Sequence, residues 1–308
     1  MPINIASTLP ARKVLDDENI SVITDERASV QDIRPLRIII LNLMPKKIET
    51  ETQLLRLLSN SPLQVDIDLL QVSSHTSKNT NAEHLLKFYK NFDDVKTLKY
   101  DGLIITGAPV ELLDFEDVDY YDELKLIMEW SKTNVYSTYH ICWGSQVGLY
   151  YHYGINKKEL PEKMFGIYPH IVTDVNDILV RGFDELYYVP HSRHTGLDED
   201  AVYKNPKLKV LSYSYLSGLN LITSCEGRHV FVCGHCEYDR DTLAKEYFRD
   251  LEKGDNIQIP FNYFPDDDPT QVPYFIWRAH ANLLIKNWLN LVYQQTPYNL
   301  DDLEPLVV

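Results

Sequence analysis

The chain has 308 residues, 44% of them hydrophobic, and a formal net charge of −15, so it has the means to bury a large core; length alone allows one or two domains. The acidic balance argues against nucleic acid and against anionic membranes as partners, since both select a basic surface. No apolar run approaches the roughly 20 residues of a membrane-crossing helix, and the N-terminus lacks a basic region followed by a continuous apolar one, so a cytoplasmic protein is expected.

Residues 1–34 are polar and irregular apart from Ile20–Ile23, and are read as an N-terminal arm packing on the main domain. A single α/β domain is expected over 35–300, with a tail at 301–308. Leu36–Leu43 is a nearly continuous Ile-rich run, the pattern of a strand buried on both faces. Pro45 ends it, and Lys46 and Lys47 follow. Apolar residues recur at helical spacing over 48–58, alternate over 65–72, return to helical spacing over 82–92, and form a third buried strand over 101–107. An amphipathic helix over 122–130 leads into a strand at 135–141. This succession predicts a doubly wound, mostly parallel sheet flanked by helices. In such sheets ligands sit beyond the carboxyl ends of the strands, so Lys46, Lys47, Glu111 and Cys142 are candidates for one cleft. The second half is less regular: strands are expected at 208–216, 219–223 and 230–232, a helix at 241–251, a Pro- and Asp-rich loop at 259–273 and a final helix at 274–293.

The stretch Val135–Ser145 is the most chemical part of the chain. A β-rich run meets Cys142, a glycine stands two residues later, and a helical pattern follows from Ser145, as in a nucleophile elbow. The helix start would favour thiolate over thiol. The alternative is an inert core cysteine, and this stretch alone leaves the two even. A nucleophilic cysteine needs a base with its own orienting group. His235 and Glu237 follow the strand 230–232; alternation alone does not establish a bond between them, but they lie close enough for one at a strand end where the chain turns. His235 is one of ten histidines, so by itself it carries little weight. Cys225, Cys233 and Cys236 with His235 lack the paired spacing of structural zinc sites, and no metal is expected.

HICWGS followed by GHCEYD resembles the Cys…His-x-Glu arrangement of class I glutamine amidotransferases, and more closely the homoserine O-acyltransferase family of methionine biosynthesis. The resemblance runs nearly end to end, through RASVQDIRPLRIIILNLMPKKIETE, DGLIITGAPVE, KMFGIYPH, VPHSRHT, NYFPDDDP and WRAHANLLIKNWLN. It implies a class I glutamine amidotransferase-like fold. Cys142 would be the nucleophile that carries an acyl group as a thioester, His235 the general base and Glu237 the group that orients it. Backbone N–H groups near Trp143 would hold the oxyanion. It also implies substrate-binding roles for Lys163, Ser192 and Arg249, although a solvated helix charge is the plain alternative for Arg249. Lys46 or Lys47 is read as electrostatic support, against the alternative of a solvated pair. At the position of Glu111 the family pairs glycine with succinyl-CoA and glutamate with acetyl-CoA. The expected reaction is therefore acetyl transfer from acetyl-CoA to L-homoserine by a ping-pong route, with no permanently bound cofactor and a homodimer expected. Any coenzyme A phosphates would need a local Lys/Arg cluster on so acidic a chain. The alternatives are O-succinyl transfer, an amidotransferase-like hydrolase and a non-catalytic binding protein. Two departures stand out: Cys236 occupies the place of the family's proline, and His140 stands where amidotransferases usually carry glycine.

Overall fold

The computed structural model describes residues 3–6, 8–17, 22–23, 34–75, 80–224, 226–254 and 256–308. Cys225 and part of the expected N-terminal arm, Ile20 included, lie outside them. The strands are β1 (Ile3–Asn4), β2 (Val22–Ile23), β3 (Leu36–Leu41), β4 (Val65–Leu70), β5 (Tyr89–Lys90), β6 (Tyr100–Ile105), β7 (Val135–Ile141), β8 (Lys157–Val172), β9 (Leu186–Leu197), β10 (Leu208–Ser214), β11 (Gly218–Ser224) and β12 (His229–Val232). They join in one sheet, in the order β2-β1-β4-β3-β6-β7-β12-β11-β10-β8-β9, with β5 beside β4. Every pairing from β2 to β12 is parallel, and every pairing from β12 to β9 is antiparallel.

The helices are α1 (Pro10–Asp17), α2 (Lys47–Leu58), α3 (Ala82–Phe88), α4 (Phe92–Val95), α5 (Tyr121–Asn134), α6 (Trp143–Tyr153), α7 (Glu199–Lys204), α8 (Thr242–Glu252) and α9 (Arg278–Gln295). Side chains alternate across a strand, and the buried residues divide accordingly. Ile38, Ile40 and Ile104 pack with Leu54, Leu55 and Leu58 of α2 and Leu284, Ile285 and Trp288 of α9. Ile39, Leu41, Leu103 and Ile105 pack on the other face with Leu124, Ile127 and Met128 of α5 and Trp143 and Val147 of α6. This two-sided cover is why the parallel strands read as continuous apolar runs.

Several elements differ from the sequence reading. The stretch read as an irregular arm carries β1, α1 and β2, and α7 was not among the expected helices. The helix expected over 82–92 stops at Phe88, β5 follows, and α4 starts afresh where the Asp94 carboxylate accepts the Asn91 amide at 2.8 Å. The last helix begins at Arg278, because Tyr274 is held outside it by a bond from its amide to the Tyr263 carbonyl at 3.1 Å. The long antiparallel pair of β8 and β9 was not among the expected strands. β8 contains Pro161, and Gly166 within it has φ +142; a Cβ there would stand 2.4 Å from the backbone of Phe261, which bridges to it.

At the start of β6, Asp101 is fully buried and accepts both guanidinium nitrogens of Arg34, at 3.0 and 2.8 Å, and the Arg37 amide at 2.7 Å. Asp101→Ala strips these charge-assisted bonds and is expected to lower stability by about 1.5–3 kcal/mol, read as a fall in the urea midpoint with an unchanged slope.

Candidate active site

β7 ends at Ile141 and α6 begins at Trp143, which leaves Cys142 alone to make the turn, with φ +50 and ψ −115. That backbone is sparsely populated for a residue with a side chain. It is held from both sides: the Cys142 amide donates to the Val232 carbonyl of β12 at 2.7 Å, and the Cys142 carbonyl accepts the Ser145 amide at 2.9 Å and the Ser145 hydroxyl at 2.6 Å. Gly144 is required two residues on, since a Cβ there would come within 2.7 Å of the Ile105 and Thr106 carbonyl oxygens.

β12 delivers His235 to the same place. Its amide donates to the Pro190 carbonyl of β9 at 2.8 Å, and its ring stacks on Tyr238 with centroids 4.1 Å apart. His235 Nδ1 meets Glu237 Oε1 at 2.7 Å, so the turn after β12 makes the bond that alternation could not guarantee. Burial alone would push the His235 ring down, but the charges and hydrogen bonds of Cys142 and Glu237 outweigh it and hold the imidazole well above its ordinary value. Glu237 is itself buried, and among the described residues its Oε2 has no hydrogen-bond partner. A Cβ at Gly107 would lie 3.4 Å from Cys142 Cβ and 3.5 Å from His235 Cε1, so β6 contributes bare backbone beside the pair.

Cys142 and His235 open into a cavity of about 410 Å³ whose lining also includes Glu111, Lys163, Ser192, Glu246 and Arg249. Ser192 Oγ donates to Glu246 Oε2 at 2.6 Å, and Lys163 Nζ lies 3.8 Å from that oxygen and 3.5 Å from Asp250 Oδ2. Arg249 grips Asp250 through Nε and a terminal nitrogen, at 2.6 and 2.9 Å, and this pair holds the Asp250 carboxyl down at about 2. Glu111 lines the same cavity. Its Oε2 accepts the His194 amide at 2.9 Å, the Thr195 amide at 3.3 Å and the Thr195 hydroxyl at 3.1 Å, so the carboxylate is pinned to β9.

Some expected residues lie elsewhere. Lys46 and Lys47 follow β3, but neither lines this cavity. Lys46 is exposed and pairs with Glu49 at 3.8 Å. Lys47 is buried, donates to the Asn42 carbonyl and lies over the Tyr89 ring; burial pushes its amine down to about 8. The Trp143 indole is buried on the α5–α6 side of the sheet, so only its backbone amide, which opens α6, is positioned to serve the sulfur. Cys236 points away from the cavity toward the Tyr139 hydroxyl, 3.7 Å from its sulfur, and burial pushes its thiol up to about 12. Sequence reasoning missed Glu246 and Tyr238. Glu246 lies one helical turn before Arg249, so the face of α8 that carries the arginine was a legible pointer to it.

A family model described as homoserine O-succinyltransferase matches residues 2–298. The chain belongs to this family. It is 58% identical over 305 residues to a homoserine O-acetyltransferase of Acetivibrio thermocellus, covering 99% of this chain and 100% of the relative. It is 57% identical over 309 residues to that of Petrotoga mobilis, with all of both chains covered, and 59% identical over 299 residues to that of Clostridium novyi, covering 97% and 99%. Among solved structures, a glutamine amidotransferase from Thermotoga maritima superposes with a TM-score of 0.56 at 14% identity, over 85% of this chain and all of that one; this likeness shows the class I glutamine amidotransferase fold.

The ionised imidazole depends on its two neighbours. In Glu237→Gln the ring loses one of the negative charges that favour its protonated form, so the midpoint of His235 is expected to fall. Ring-labelled histidine NMR checks this, with His75, paired to Asp119, as the control expected not to respond.

Proposed function

We propose that the chain is a homoserine O-acetyltransferase of methionine biosynthesis, with acetyl-CoA and L-homoserine as substrates and Cys142 as the acyl carrier. The observation that carries this reading is one cavity lined by both the Cys142–His235 pair and a pinned Glu111. The Cys142 sulfur, its proton held by His235, attacks the thioester carbonyl of acetyl-CoA. The new C–S bond forms, the oxyanion leans on the α6 amide at Trp143, and the C–S bond to coenzyme A breaks as the departing sulfur takes the proton back from His235. One thioester replaces another, so the step is close to balanced in energy. His235 then takes the proton of the homoserine hydroxyl, that oxygen attacks the acyl-enzyme carbonyl, and the Cys142 sulfur leaves as thiolate. Glu237 keeps the ring oriented and stabilises its charged form.

Homoserine brings a carboxylate and an ammonium, and the wall of Lys163, Ser192, Glu246 and Arg249 offers partners for both. Arg249 suits the carboxylate through its planar fork, and Glu246 suits the ammonium. Glu111 supports acetyl over succinyl. Its side chain fills volume beside the nucleophile, and its charge opposes a second carboxylate at the end of a longer acyl group, so discrimination rests on rejection. The model's family name refers to succinyl transfer and the relatives' names to acetyl transfer; Glu111 aligns this chain with the relatives.

Incubation with acetyl-CoA followed by intact mass measurement is expected to show one acetyl group per chain, absent in Cys142→Ser; a wild type that stays unacetylated overturns the thioester. Glu111→Gly is expected to gain turnover with succinyl-CoA while retaining it with acetyl-CoA, in steady-state assays with homoserine. His235→Asn is expected to lower kcat by about 10²–10⁴-fold, the usual worth of a general base.

A further inference from the structure

Behind the nucleophile, on the side of the sheet away from α9, three histidines converge that the mechanism does not use. His140 lies two residues before Cys142 on β7, His152 is in the last turn of α6, and His229 opens β12. One ring nitrogen from each lies within 4.8 Å of the others. The rings of His152 and His229 are 4.3 Å apart, and His140 stands 6.2 and 5.8 Å from them. His140 and His229 are buried, and His152 is partly exposed at the surface of α6.

Two of the three rings are anchored through one nitrogen. His140 Nδ1 meets the Gly144 carbonyl at 3.2 Å, and His229 Nδ1 meets the Tyr153 hydroxyl at 3.0 Å. His140 Nε2, His229 Nε2 and both nitrogens of His152 are buried without a partner among the described residues. A metal-ligating histidine characteristically turns its other nitrogen to a carbonyl or similar oxygen, which fixes the ring and leaves one lone pair for the ion. Burial keeps all three rings neutral, the form that ligates. Phe231 stacks on His140 and closes one side.

We propose that His140, His152 and His229 form a binding site for a divalent transition cation of the zinc or cobalt type, with water as the fourth ligand. Three imidazoles and no carboxylate favour such a cation over magnesium or calcium, which take oxygen ligands. Imidazole bonds zinc at about 2.0–2.1 Å, so the three rings, whose nitrogens lie within 4.8 Å of one another, would draw together around the ion. The neighbouring charges of Lys132 and Arg228 oppose a cation, so the nitrogens must supply the affinity. The ion would clamp β7, α6 and β12, the elements whose ends carry Cys142 and lead to His235. It acts on stability and leaves the reacting atoms alone.

The test uses the untagged full chain with Cys142→Ser, so that the catalytic thiolate cannot compete for metal. After chelator treatment the protein is titrated with Co²⁺ alone. The expected result is one Co²⁺ per chain, visible ligand-field bands of tetrahedral strength without a thiolate charge-transfer band, and a higher melting temperature. His152→Phe sits at the partly exposed position and is expected to weaken binding at least about tenfold, whereas His75→Phe leaves it unchanged. A crystal soaked in Co²⁺ is expected to show an anomalous peak between the three rings, a reading that does not depend on how the variants fold. A folded parent that binds no Co²⁺, binding that persists undiminished in His152→Phe, or a peak elsewhere with none at the cluster overturns the proposal.

Discussion

Everything at the site depends on one residue being held in a backbone conformation that its side chain disfavours. Among the described residues the non-glycine ones with positive φ are Cys142, Asn262, Asp266 and Asp267. Asn and Asp tolerate that region, because a short polar side chain can bond locally. A cysteine gains nothing of the kind, and such a conformation costs of order 1–3 kcal/mol. The turn persists because β12 takes the Cys142 amide and the first turn of α6 takes its carbonyl. The sheet thus aims the sulfur out of its own plane, toward the end at which its strands finish.

The same end of the sheet manages charge locally. The chain is strongly acidic as a whole, yet one wall of the cavity gathers Lys163 and Arg249. Each cation is matched by Glu246 or Asp250 across a short distance. Paired groups of this kind can be partly buried without an unbalanced desolvation cost. Glu111 is fastened by backbone amides of β9, so its bulk and charge stay at one place in the cavity.

The exchange of the family's proline for Cys236 leaves this arrangement intact. The thiol turns into the core against Tyr139, and burial raises it out of the range where it would ionise. Cys233 follows the same logic: burial raises its thiol, and of the described cysteines Cys142 is the one that lines the cavity with His235.

The sequence by itself marked out the parallel half of the sheet and singled out Cys142, His235 and Glu237, which the fold brings together. Strands covered by helices on both faces must be apolar where both faces are covered, as in Ile38–Leu41 and Leu103–Ile105, and a strand–Cys–x–Gly–helix turn leaves few conformations open. Tertiary structure alone decided the rest. β8 and β9 are half-exposed and interrupted by Pro161 and Gly166, so their pairing rests on contacts with β10 and Phe261 that no local pattern encodes. Lys46 and Lys47 are adjacent and chemically identical, yet one is solvated and the other buried under Tyr89, because the first turn of a helix sends neighbouring side chains in different directions. Glu246 among the charges of α8, and His140 with His152 and His229 from three separate elements, became partners only when the sheet brought distant segments together. Periodicity reports which face of an element is buried; it carries no information about what stands opposite that face.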